Sequence, residues 1–468
     1  MNLAGLLLLA LAPGGLVLRG ATLVAGADGA HRPDRDLWVE DGRIAAETPA
    51  GARPARADVL EVDARGRFVI PGLWDSHVHP DDPEVWALEP SEHEKQKFLG
   101  AFVLAGVTGV RDMGGDLELL QAWRARIAAG ELVGPRIVTC GPLVDGPEPM
   151  WPGSLAVDGP QAGRAAVDAL AERGADFVKV YSLLGLESLD AIAARARERG
   201  LAYAGHVPLG VSPLEPSALG MASQEHLLEL VRHLSDRARA RELALAEPPP
   251  EGREEARAWR TRVWLATQSE ARLAELAAAF AAHDTRVVPT LTMWKRRAWY
   301  DPEDPDVVRW RAILPVHIRA WWTPEANVHL RDSSPLADEV RRELYARYVE
   351  IVRALHASGV EVLPGTDTGG NPNLVPGWSL HDELEILVRE CGFTPAEALR
   401  AATVGAARLA GRAGETGELA VGLRADLLVL AADPTQDIAA TRSIVGVCAD
   451  GRWFDRAALD ALQADLSR

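Results

Sequence analysis

The sequence predicts an α/β protein: a (β/α)8 barrel of the TIM type, with a small β-sandwich-like domain formed from both termini. Eight short β-prone runs between residues 68 and 367 alternate with Ala/Leu/Arg/Glu-rich helical segments, the texture of a parallel barrel. Before residue 66 and after residue 412 the pattern is β without that alternation. The barrel runs also end repeatedly in His, Lys or Asp, where barrel enzymes keep their chemistry.

At 468 residues the chain exceeds what one core normally serves, so one large and one smaller domain are expected. With 47% hydrophobic and 25% charged residues it reads as soluble and globular. A net charge of -17 argues against nucleic acid or an anionic membrane as partner, which leaves a small-molecule substrate. Cys140, Cys391 and Cys448 are far apart and show no metal-ligand spacing, so they read as buried small hydrophobes.

Met1–Ala12 is apolar but too short to span a bilayer, so no integral membrane span is expected. It reads as a signal peptide or as a lead-in to the first strand, with export (periplasmic or secreted) favoured over a cytoplasmic chain. Residues 16–24, 36–44 and 59–63 alternate and carry Asp-Gly turns, which predicts short antiparallel strands. Residues 425–430 and 443–447 return to strand character. Residues 15–66 and 412–468 are therefore expected to form one composite β domain, with the barrel at 67–411 between them.

The barrel opens with the run Phe68 to Pro80, in which His77 and His79 share a strand face. That geometry suits one metal ion; solvated histidines at a strand end are the bland alternative. Further runs end near Asp112, Cys140, Lys179, His206, His226, Thr290 and Asp367. Two insertions interrupt the alternation, at about 232–282, broken by Pro248–Pro250, and at about 294–338, rich in Trp. The second reads as a lid or pocket wall, or as packing against the barrel or another subunit of a homo-oligomer.

Lys179 is one of four lysines in a chain that otherwise uses arginine for positive charge. Within Phe177-Val178-Lys179-Val180 an ammonium would be desolvated, and burial lowers a lysine pKa. A neutral amine can add carbon dioxide to become a carbamate, an anionic ligand with two oxygens; arginine cannot do this at ordinary pH. Asp75 shares the face of His77 and His79 and reads as a partner of a ligand or a strand cap. Tyr181 and Arg111 are candidate substrate contacts. Glu225 should point away from His226 and reads as structural, and His381 reads as a satisfied helix residue.

The order His77-x-His79, Lys179, His206, His226, Asp367, with Val69 to His79 and Gly417 to Leu430, resembles the binuclear amidohydrolase superfamily. Gly205-His206-Val207-Pro208 and Gly365-Thr366-Asp367-Thr368-Gly369 are similar to its imidazolonepropionase-like and prolidase-like branch. The resemblance implies that His77, His79 and Asp367 hold one divalent metal, that His206 and His226 hold a second, with zinc as the default ion, and that carbamylated Lys179 bridges them. It further implies a metal-bridging hydroxide as nucleophile, with Asp367 as general base and then acid. The expected activity is cleavage of a C–N amide bond in a dipeptide, N-acyl amino acid or related amide. Cyclic-amide or lactone hydrolysis on the same site and a mononuclear deaminase are the alternatives; a non-enzymatic scaffold is disfavoured because no ligand of the six is missing.

Overall fold

The computed structural model describes residues 15–25, 29–81, 92–314, 316–323, 325–327 and 334–467. The leader reading of Met1–Ala12 lies outside the described residues. The fold is mixed α/β, in three sheets.

The first sheet draws strands from both ends of the chain. It contains β1 (Leu16–Ala25), β2 (Ala30–Glu40), β3 (Arg43–Pro49), β4 (Leu60–Asp63), β5 (Phe68–Pro71), β15 (Leu427–Leu430), β16 (Ile444–Ala449) and β17 (Arg452–Phe454). Its order is β17-β16-β15-β5-β1-β2-β3, with β4 also on β1. The early strands are not all antiparallel as alternation suggested: β4 and β5 pair with β1 in parallel. Alternation reports which face is buried, not the direction of the neighbour.

The run Phe68 to Pro80 is divided at Gly72. β5 stays in the first sheet, while β6 (Leu73–Val78) starts a parallel sheet with β7 (Val107–Asp112) and β8 (Arg136–Thr139). All six residues of β6 and of β7 are buried, as expected where both faces of a parallel sheet are covered. A third sheet, also parallel, has the order β10-β9-β11-β12-β13-β14, from β9 (Val144–Asp145), β10 (Leu155–Ala156), β11 (Val178–Val180), β12 (Tyr203–Gly205), β13 (Ser223–Glu225) and β14 (Arg286–Val288).

Backbone bonds join the two parallel sheets. Asp176 N donates to Thr139 O at 2.9 Å on one side. On the other, residues 361–368 run between β14 and β6: Leu363 N donates to Val287 O, Ser76 N to Pro364 O and His79 N to Thr368 O, and single bridges pair Val287 with Val362 and Val78 with Thr368. Trp74, Met113, Val138, Cys140, Phe177 and Ala204 form a buried cluster among these strands. All three cysteines are free and buried.

Residues 230–282 hold helices Leu230–Leu234, Arg237–Ala246, Arg253–Leu265 and Glu270–Ala282, with the Pro248–Pro250 stretch between the second and third. The Trp-rich segment mostly packs onto the rest of the fold: Trp310 stacks on Trp378 with ring centroids 3.8 Å apart, and Trp322 is buried. Trp294 Nε1 and Trp321 Nε1 donate to the carbonyls of His226 and Gly370, next to the candidate site. Among the described residues no helix is long and apolar enough to cross a membrane.

Candidate metal centre

His77 ends β6, Lys179 lies in β11, His206 and His226 follow β12 and β13, and Asp367 lies in the segment between β14 and β6. Parallel strands bring these ends to one rim, and the six side chains converge there. Asp367 Oδ1 lies 3.3 Å from both His77 Nε2 and His79 Nε2. Lys179 Nζ is 3.5 Å from His77 Nε2, and Asp367 Oδ2 is 4.0 Å from His226 Nδ1. The His226 ring is 4.3 Å from that of His77 and 5.0 Å from that of His206.

Two glycines permit the approach. A Cβ on Gly205 would stand 2.2 Å from Val180 O and 3.0 Å from Lys179 Cγ, at a φ of +131°. One on Gly365 would stand 2.9 Å from His77 Cβ. Either side chain would push apart the strands that carry Lys179, His206 and His77.

The Nδ1 nitrogen of each imidazole is tied. His77 Nδ1 donates to Glu225 Oε2 at 2.8 Å and His79 Nδ1 to Gly114 O at 3.2 Å. His206 Nδ1 bonds Ser182 Oγ at 2.9 Å, and His226 Nδ1 bonds Thr290 Oγ1 at 2.8 Å. Such partners fix the ring and leave the other nitrogen free to ligate. His206 Nε2 is buried without a hydrogen-bond partner, an orphan that a metal would satisfy. His77, His226 and Asp367 also form a cluster whose ligand atoms lie within 4.8 Å of one another. The donor set therefore fits a divalent cation.

Backbone strain gathers at the same place. His226, Thr290 and Asp367 have φ of +61°, +49° and +60°, each costing about 1–3 kcal/mol. The turn at His226 breaks strand alternation, so Glu225 and His226 both reach the site. This corrects the reading of Glu225 as a structural residue pointing away. It supports His77 and accepts from Arg111 Nη1 at 3.2 Å and from Ser223 Oγ at 2.5 Å. Burial raises its pKa, but Arg111 and His77 outweigh that and hold it down at about 2.

Arg111 is corrected with it. The guanidinium is 2% exposed, spends its donors on Glu225, Ser76 O and Ser223 Oγ, and sits 4.5 Å from the Phe177 ring. These partners place it behind His77, tied to Glu225, β6 and β13. Tyr181 does border the site: its ring lies 4.0 Å from that of His206, and its hydroxyl accepts from Trp151 Nε1 at 2.6 Å. Asp75 touches no imidazole nitrogen. It accepts from the amides of His77 and Thr366 and from Thr366 Oγ1, stapling β6 to the 361–368 segment, and burial pushes its pKa up to about 7. His381 lies between Thr441 Oγ1 and Ala105 O, away from the centre.

The side chain of Lys179 is sealed at 1% exposure, and among the described residues no carboxylate lies within 4.0 Å of its Nζ. Burial lowers its pKa, and the surrounding carboxylates do not offset this. Burial, and then Lys179 itself, holds His206 well below its usual pKa. Burial opposes ionisation of Asp367, yet His226 together with hydrogen bonds to His77 and His79 keeps its carboxyl well below the usual range.

Two expected results follow directly. Glu225→Gln should weaken metal binding about 10–100-fold, read by competition with a chelator, because the ring of His77 loses its anionic partner. Metal-free Lys179→Met should melt above metal-free wild type. The folded pKa of Lys179 is depressed, so between that value and 10.5 the unfolded chain binds more protons and wild-type stability rises with pH. The advantage of the variant should accordingly be largest below the folded pKa and vanish towards pH 10.5. A variant that melts lower at neutral pH would contradict a desolvated lysine.

Residues 325–454 match the Amidohydrolase family. Among curated proteins, the adenine deaminase of Chelativorans sp. (strain BNC1) is 31% identical over 211 residues, 41% of this chain and 32% of that protein. The imidazolonepropionase of Chloroflexus aggregans is 46% identical over 113 residues, 24% of this chain and 26% of that protein. The chain thus spans about a third or less of the length of these curated relatives. Among solved structures, a putative prolidase from Bifidobacterium longum is 25% identical with a TM-score of 0.67, covering 97% of this chain and 100% of that one. The family match and these likenesses support the amidohydrolase superfamily.

Proposed function

We propose that the protein is a metal-dependent hydrolase that cleaves a C–N amide bond in a dipeptide, N-acyl amino acid or related amide. The observation that carries this reading is a sealed lysine amine with no carboxylate partner among the described residues, set among four imidazoles and one strained, ionised aspartate. We read β6, β7, β8, β11, β12, β13, β14 and the 361–368 segment as the eight staves of one (β/α)8 barrel. Strands β1–β5 and β15–β17 are read as the composite domain at 15–66 and 412–468.

In this reading His77, His79 and Asp367 would hold one divalent metal and His206 and His226 another, and Lys179, carbamylated by carbon dioxide with loss of a proton, would supply oxygen donors to them. Two such ions, zinc by donor preference, supply Lewis acidity that polarises the scissile carbonyl and acidifies a water. Asp367 takes the proton of the attacking water and delivers it to the leaving nitrogen as the C–N bond breaks. Asn371 Nδ2 donates to Asp367 Oδ2 at 2.6 Å and fixes that carboxylate for both transfers. Tyr181 packs on His206 and walls the site against water.

The likeness to an adenine deaminase favours a second reading, a mononuclear deaminase. Cyclic-amide or lactone hydrolysis remains a third use of the same residues. The test is a substrate screen of dipeptides, N-acyl amino acids, lactones and adenine, with metal content measured on the same sample. Two metals per chain and amide turnover support the proposal; one metal with ammonia release from adenine overturns it.

A further inference from the structure

We propose that Arg297 grips a free carboxylate on the amine half of the substrate, one residue from the scissile bond, and so selects dipeptides and N-acyl amino acids over neutral amides. The inference rests on the amide-hydrolase reading and deepens it.

Helix Leu291–Ala298 is pinned over the candidate centre. Glu383 accepts from the amides of Leu291 and Thr292 at 3.0 and 2.6 Å at its N-terminus, and Trp294 Nε1 donates to His226 O at 3.1 Å. Three consecutive cations end this helix. Lys295 pairs with Glu390 at 2.7 Å, and Arg296 pairs with Asp304 and Asp382. Arg297 differs from both: among the described residues no carboxylate lies within 4.0 Å of it. Its Nε and Nη2 both converge on one neutral acceptor, Asn371 Oδ1, and its Nη1 makes no hydrogen bond to any described residue. The Trp294 ring flanks the guanidinium at 5.6 Å.

A guanidinium fork is built for the two oxygens of a carboxylate, and a half-buried one with no anion among the described residues is an incomplete pair. Burial lowers the Arg297 pKa to about 10, with Asp367 opposing the shift, so the group remains cationic at neutral pH. Its position fixes which half of the substrate it meets. Asn371 links Arg297 to Asp367 through a single side-chain amide. Asp367 serves the leaving nitrogen in the proposed reaction, so the neighbouring cation faces the amine half. Only one side-chain amide separates the two groups, which suits a carboxylate close to the scissile nitrogen and not one several residues away.

The test is calorimetric binding of a panel of N-acetyl amino acids, each against its carboxamide, to the metal-free protein. Wild type should bind the acids at least tenfold more tightly than the amides. In Arg297→Met, and in Arg297→Gln, which can still donate to Asn371, that preference should disappear while circular dichroism and melting temperature stay close to wild type. No acid preference in wild type, no binding by any pair, or a preference that survives in both variants would overturn the assignment. The result separates from the hydrolase reading. Acid preference without amide turnover in metal-loaded protein keeps the subsite and removes the reaction, whereas turnover without acid preference removes only the subsite.

Discussion

Lys179→Ala should lower amide hydrolysis by at least about 10³-fold, with bound metal falling well below two ions per chain. The amine is sealed and among the described residues no carboxylate lies within 4.0 Å of it. As an ammonium it would repel the same cations that the four imidazoles attract. Conversion to the proposed carbamate would invert the sign of the charge at the centre of the cluster and add two oxygen donors. Alanine leaves a cavity of similar shape without those donors, so formate, acetate or propionate should restore part of the metal content and part of the rate. Full activity in the unsupplemented variant would end the binuclear proposal.

Asp367→Asn should reduce kcat by about 10²–10⁴-fold, the usual range for loss of a positioned acid–base group. The amide is close to isosteric, and its oxygen can still stand near His77 Nε2 and His79 Nε2. It cannot carry a proton from water to the leaving nitrogen. Metal analysis alongside steady-state kinetics separates the two roles: a variant that keeps most of its metal but loses turnover marks proton transfer as the larger part. A variant with turnover near wild type would remove Asp367 from the chemistry.

How much of this was legible in the sequence depends on whether a side chain's place is set by its own strand or by a neighbour. The positions of His77, Lys179, His206, His226 and Asp367 can be read locally, because each ends or follows a β run. Glu225 cannot, since its reach to His77 depends on a left-handed turn at the next residue. Arg111 misleads for a related reason. Next to Asp112 at the end of β7 it looks available, yet its register points it down to Glu225. Asn371 and Arg297 lie on different elements and acquire meaning only through each other. The division at Gly72 was hidden as well, because an apolar run does not announce that its two halves join different sheets.

The arrangement of the first sheet bears on how the chain is made. β5 pairs with β1 on one side, but its other edge, Phe68–Pro71, is completed only by Leu427–Leu430, about 350 residues later. At synthesis rates of about 5–20 residues per second, that apolar edge stands open for roughly 20–70 s on the ribosome. An unpaired edge is a template for association with other chains. Until Leu427–Leu430 has been made, that four-residue strip has no neighbour on this side within its own sheet.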